Sequence, residues 1–187
     1  SLVCESFLQI LLGASLVYAA TVMFNKMRSP DNSWTNKPND WLAERLHLGG
    51  SYWDDAIGAQ VEYGVHRTLP TFFISYIAGI ISGLLGIGGG GIKVPAMNVI
   101  SNIPMKVSVA TSNFMIGVTA SASALVYLRH GYCDFFITAP VVLGTLIGSS
   151  LGAKATKQIQ GVSLKRLFVL VLLILGLRMV LMGASLL

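Results

Sequence analysis

Leu69-Pro-Thr-Phe-Phe-Ile-Ser-Tyr-Ile-Ala-Gly-Ile-Ile-Ser-Gly-Leu-Leu-Gly-Ile-Gly-Gly-Gly-Gly-Ile-Lys-Val-Pro-Ala-Met-Asn-Val-Ile-Ser-Asn-Ile103 is the stretch on which the fold turns. As one helix it would reach about 50 Å, against a hydrocarbon core of about 30 Å. It is therefore too long for one simple crossing. Gly86-Ile87-Gly88-Gly89-Gly90-Gly91 interrupts it, and four consecutive glycines destabilise a helix interior. The stretch is expected to form two helical pieces with an unwound break between them. Irregular backbone at membrane depth persists only where protein or a watery cavity satisfies its polar groups.

The rest of the chain supports a lipid solvent. Of its 187 residues 53% are hydrophobic and only 11% are charged, too few for a water-soluble domain of this size. Four further apolar runs have membrane length: Phe7 to Phe24, Val107 to Leu128, Phe135 to Ala153 and Leu164 to Leu187. The expected fold is all-α, a polytopic membrane helix bundle of about four full spans plus a glycine-broken re-entrant helix pair. The segments expected are a transmembrane helix over 1–24, a polar loop over 25–68 and a carboxyl-terminal unit over 69–187. Within the polar loop, Asn39 to Leu48 is expected to form a short amphipathic helix, with Asp40 in its first turn and Gly49-Gly50 ending it. The chain opens on Ser1-Leu-Val-Cys4, with no methionine and no basic region before the apolar run. It is expected to be part of a longer membrane protein, and its start is not a signal peptide.

Charge orients the spans. Lys154, Lys157, Lys165 and Arg166 bracket the last connection, which the positive-inside rule places in the cytoplasm. A single crossing of 69–103 would then put Lys26 and Arg28 outside. A hairpin that dips in and returns puts Lys26, Arg28, Arg67 and Lys106 on the cytoplasmic side. The formal charge of +5 has no basic run interleaved with aromatics, so nucleic acid is not an expected partner. Cys4 and Cys133 have no disulfide or metal-ligand spacing, and His47, His66 and His130 are scattered. No metal or cofactor is expected.

Chemistry is expected at the break. Glycines leave backbone amides open to a ligand. Pro95 suits the first turn of a helix, so a half-helix starting near it would aim its free N–H groups and positive end back at the break. Lys93 adds a full positive charge there. Thr111, Ser112 and Asn113 offer donors for an oxyanion without carrying permanent charge into lipid. The competing reading of the glycines is close helix packing, and that of the hydroxyls is bonding within or between helices. Gly86, Gly88 and Gly91 also match the dinucleotide spacing G-x-G-x-x-G, but that motif needs a soluble strand-helix-strand unit around it. Gly144, Gly148 and Gly152, four residues apart, form a helix-packing seam. Arg178 lies within the last apolar run, near enough to its end to snorkel. No Asp or Glu falls inside a span, so a proton-relay carboxylate is not in this part of the chain.

The sequence Gly79-Ile-Ile-Ser-Gly-Leu-Leu-Gly-Ile-Gly-Gly-Gly-Gly-Ile-Lys-Val-Pro-Ala-Met97, continued by Pro104-Met-Lys-Val-Ser-Val-Ala-Thr-Ser-Asn-Phe-Met-Ile-Gly-Val-Thr-Ala120 and the Gly131-Tyr132 turn, resembles the TauE/SafE sulfite exporter family. The strong part covers Leu69 to Leu187. The resemblance implies a transporter of two related halves, moving sulfite, sulfoacetate or other organosulfur or small organic anions. It also implies Gly88, Gly89, Gly90, Gly91, Pro95, Thr111 and Ser112 as motif positions. The first half and its own glycine motif are not in this chain.

Together these readings give a secondary transporter or facilitator of a small anion in the inner cell membrane, working by alternating exposure. Its expected partners are the anion, the bilayer, and either the missing amino-terminal half or further copies. A membrane scaffold or accessory subunit is the alternative. An intramembrane enzyme is the third reading, and the spans carry no carboxylate pair, Ser/His arrangement or metal cluster for it.

Overall fold

The computed structural model describes residues 2–28, 40–85 and 90–185. The chain is built from helices α1 (Leu2–Arg28), α2 (Trp41–Arg45), α3 (Thr68–Leu85), α4 (Gly90–Pro95), α5 (Met105–Arg129), α6 (Phe135–Gln158) and α7 (Gly161–Ser185). A two-stranded hairpin, β1 (Gly50–Asp54) and β2 (Ala59–Tyr63), lies between α2 and α3, and a π-helical segment (Ala96–Ile100) continues α4. Among the described residues, four helices are long and apolar enough to cross a membrane: Gln9–Met27, Met105–Arg129, Phe136–Gln158 and Gly161–Gly183. The chain is a mostly helical, polytopic membrane bundle. The four expected runs are all present, and each extends further than its apolar residues suggested. Polar residues at a span's end still keep helical backbone bonds, so α1 runs to Arg28, α6 to Gln158, and α7 begins at Gly161.

The core lies where α1, α4, α5 and α7 converge. Leu16, Ala20 and Met23 of α1 meet Val94 of α4, Met105 of α5, and Val169 and Leu172 of α7. The tightest crossing is α1 on α7. A Cβ added to Gly13 would lie 2.8 Å from the Gly176 carbonyl oxygen, and one added to Gly176 would lie 3.1 Å from that of Gly13. These two glycines let the backbones touch, as small residues do at membrane helix interfaces. The expected seam on α6 is a different matter. Nothing lies within 4 Å of the Cβ positions of Gly144, Gly148 or Gly152, and no residue of α6's apolar stretch is buried.

The long apolar stretch leaves one end of the bundle and comes back to it. Thr71, in the first turn of α3, shares a 2.6 Å hydrogen bond between its Oγ1 and Ser101 Oγ, just past the π segment. His66 donates its backbone N–H to the Ser101 carbonyl at 3.1 Å. Lys26, near the end of α1, closes the same end, donating from Nζ to the carbonyls of Asn98 at 3.2 Å and Val99 at 2.8 Å and to Asn102 Oδ1 at 2.6 Å. Those carbonyls belong to the carboxyl-terminal end of the broken helix, where a cation is favoured.

The polar segment holds more order than one short helix. α2 is capped by Asp40, whose side chain accepts from the Trp41 N–H at 3.1 Å, and it stops before Gly49 because His47 already adopts φ 51°. The hairpin pairs Gly50 with Tyr63 through Asp54 with Ala59, and its turn closes on Gly58 at φ 67°. Asp54, 2% exposed at its side chain, takes Lys106 Nζ at 2.7 Å, and the same ammonium reaches the Lys157 carbonyl at 3.1 Å. One buried ion pair thus docks the hairpin on the ends of α5 and α6. Partial burial, and then the Asp54 carboxylate beside it, push the Tyr52 phenol up from its ordinary value.

Candidate functional site

The returning helix starts at Gly90, five residues before the position expected for it. Pro95 therefore sits inside the helix and not in its first turn. Without an N–H it cannot bond the carbonyl one turn back, and the register opens into the π segment straight after it.

Gly90 faces α5. A Cβ there would lie 3.4 Å from Ser112 Oγ and 3.1 Å from Ile116 Cδ1. Ser112 is 1% exposed, and its hydroxyl has no hydrogen-bond partner among the described residues. A buried hydroxyl left unpaired costs about 1–3 kcal/mol, so its retention here calls for a reason. Gly91 faces the other way, with its Cβ position 2.8 Å from Leu16 Cδ2 on α1, and serves packing. Val94 and Pro95 are buried, while Lys93 and Thr111 are half-buried. Asn113 is exposed on the outer surface of α5, so the structure does not bring it to Gly90. Gly88 and Gly89 lie outside the described residues. Farther along α5, Thr119 and Ser121 donate to carbonyls of their own helix, as the bland reading of membrane hydroxyls holds. Arg178 is exposed on α7.

Sequence reasoning passed over a second polar group. Asn98, in the π segment, is fully buried, and its Nδ2 donates to the Ile103 carbonyl at 2.9 Å. That bond fixes which way the amide points, and it leaves Oδ1 buried without a partner. Ser108, also fully buried, reaches the same Ile103 carbonyl at 3.4 Å. Ser108 and Ser112 are one turn apart on the face of α5 that meets the broken helix. The available signal was an amide set alone in Ala96-Met-Asn-Val-Ile100, an apolar run that gains nothing from it otherwise.

A buried hydroxyl beside Gly90 and a half-buried lysine one turn further along the same helix offer a small anion a hydrogen-bond donor and a positive charge. The family model described as Sulfite exporter TauE/SafE matches residues 1–179. The chain is 31% identical over 110 residues to the "Probable membrane transporter protein YunE" of Bacillus subtilis, covering 59% of this chain and 40% of that protein. It is 32% identical over 105 residues to "Sulfite exporter TauE/SafE family protein 5" of Arabidopsis thaliana, covering 54% of this chain and 23% of that protein. A "Probable membrane transporter protein MJ0441" of Methanocaldococcus jannaschii is 26% identical over 149 residues, which is 75% of this chain and 54% of that protein. The matched region thus spans about half or less of the length of these relatives. No solved structure matches.

Proposed function

This chain belongs to the sulfite exporter TauE/SafE family, and we propose that it forms the anion-handling part of a secondary transporter or facilitator for sulfite, sulfoacetate or a similar small organosulfur or organic anion. The activity is proposed for the whole protein, of which this chain is read as one of two related halves. The observation that carries the reading is the buried, unpartnered Ser112 hydroxyl set against Gly90, where the returning helix begins. Gly88, Gly89 and Gly90 would keep side chains away from that hydroxyl, Lys93 would supply charge, and Thr111 would border the site, while Gly91 packs against α1 and Asn113 faces outward. Alternating exposure by rocking of helices around this point is the mechanism that broken-helix transporters use. The end closed by Lys26 is assigned to the cytoplasm and the membrane to the inner cell membrane.

Ser112→Ala tests this sharply, because storage and function point in opposite directions. If the hydroxyl exists for a ligand, removing it relieves an unpaired buried group. Thermal stability in detergent should then hold or rise by up to about 1 kcal/mol. Sulfite or sulfoacetate flux in proteoliposomes should meanwhile fall by about tenfold, the loss of one charge-assisted hydrogen bond. A variant that melts earlier yet transports normally would show Ser112 to be structural and would remove the basis for the site. Gly89→Leu gives the companion result: flux abolished with insertion intact, whereas normal flux would favour the scaffold reading.

A further inference from the structure

Apolar packing dominates most of the bundle, but the seam between the broken helix and α5 is polar. Ser112, Ser108 and Asn98 are each 1% exposed or less, and two of their side-chain atoms, Ser112 Oγ and Asn98 Oδ1, have no partner. From Gly90 to Asn98 the broken helix advances about 12 Å, nearly half the hydrocarbon thickness. The seam therefore begins where Gly90 meets Ser112 and ends where Lys26 holds the carbonyls of Asn98 and Val99. Nothing in helix packing requires this line of polar groups. Leu or Ala at Asn98 would avoid burying an amide oxygen that nothing among the described residues bonds, a desolvation that folding must otherwise bear. The π segment adds to the argument, since such widened turns occur mostly at functional positions.

We propose that this seam is the route along which the anion passes between Ser112 and the Lys26 end, with Asn98 and Ser108 as a second hydrogen-bonding station beyond Ser112. The chemistry of the station narrows the cargo. Asn98 presents an acceptor, so a bare oxyanion gains nothing from it. A small oxyanion that keeps one water of hydration satisfies Asn98 Oδ1 through that water while taking the Ser108 hydroxyl. Lys26 is fully engaged by its acceptors, so it contributes field at the mouth of the route without binding the anion directly. The inference rests on the anion-transport reading above, and its test separates the two.

The test uses the protein expressed from its full reading frame, in proteoliposomes, with Cys4 and Cys133 replaced by serine. Single thiols are introduced by S112C, S108C and V169C, the last a 4% exposed position in the apolar core. Each is exposed to a small sulfonate-bearing methanethiosulfonate and to its cationic trimethylammonium counterpart, with sulfoacetate or gluconate present. The route requires S112C and S108C to react faster with the sulfonate reagent than with the cationic one, and V169C to stay inert. Sulfoacetate at about ten times its dissociation constant should slow both reactions by about tenfold, and gluconate, far bulkier with its polyol chain, should not. Protection of S112C with S108C inert leaves the anion site standing and overturns the route. If both thiols stay as inert as V169C, the site and the route fall together. Reaction of S108C at equal rates with both reagents, unprotected by sulfoacetate, marks a watery crevice and also overturns the route. Should S108C fail to insert, S108A decides: sulfoacetate flux reduced by about tenfold supports the station, and unchanged flux removes it.

Discussion

Lys26 shows how much one side chain does at the residue scale. Read along the sequence, it is a water-side residue that ends an apolar run, and that reading is correct as far as it goes. Its ammonium also bonds acceptors more than seventy positions away, on the carboxyl-terminal end of the broken helix. Lys26→Met keeps the apolar stem and removes the donors, leaving helix-end carbonyls that little else can reach. The variant should lose about 3 kcal/mol, as removal of one partner from a buried charged contact does, and melt earlier in detergent. An unchanged melting temperature would mean that water replaces the ammonium and that the contact is incidental. Ser112 was legible because Thr-Ser-Asn breaks the apolar pattern of a span. Asn98 was not, because one amide within a short apolar run gives no periodicity to read, and its meaning depends on α5 lying against it.

At the scale of elements, helices were legible and the hairpin was not. An apolar run of membrane length needs no partner to be recognised, since lipid forces its backbone to bond internally. The strands Gly50–Asp54 and Ala59–Tyr63 sit in a polar segment where Tyr52 and Asp54 alternate with exposed Ser51 and Trp53, a pattern of only five residues. What makes them stay is docking. Asp54 and Lys106 form an ion pair with side chains 2% and 11% exposed, and no partner for Lys106 could be chosen from sequence among several acidic residues in that segment. Removing one member leaves the other charge buried. Asp54→Asn or Lys106→Met alone should each cost about 3 kcal/mol, while the double variant should cost clearly less than their sum. Additive losses in a double-mutant cycle, read by thermal unfolding, would show that the hairpin is held by something other than this pair. The π segment was equally invisible beforehand. The proline rule placed Pro95 at a helix start, and the glycines started the helix earlier, forcing the misfit into the next turn.

The whole molecule is organised by where its charge gathers and where its apolar surface is left uncovered. Lys26, Lys106 and Lys157 meet at one end through the broken helix and the docked hairpin, and Lys165 lies within electrostatic reach of Lys26. Arg129, His130 and Asp134 lie at the other end of α5, about 37 Å away by helix length, enough to cross a bilayer core. At the opposite extreme α6 shows lipid or a partner an entire apolar flank, with Phe136 94% exposed and its glycine seam open. The hairpin path of 69–103 then makes a topological prediction that a single crossing does not. A thiol at Ser51, exposed on β1, should share a compartment with the Lys26 end, and one at Tyr132 should lie across the membrane. In a background free of Cys4 and Cys133, a membrane-impermeant maleimide added to intact cells should label Tyr132→Cys directly. It should label Ser51→Cys only after the cells are permeabilised. The reverse pattern would invert the assignment of the Lys-rich end to the cytoplasm, while labelling of both from outside would contradict the return of the broken helix to the end it left. Such a result would also detach Lys26 from the helix end it closes, since that contact exists only if α1 and the π segment finish on the same side.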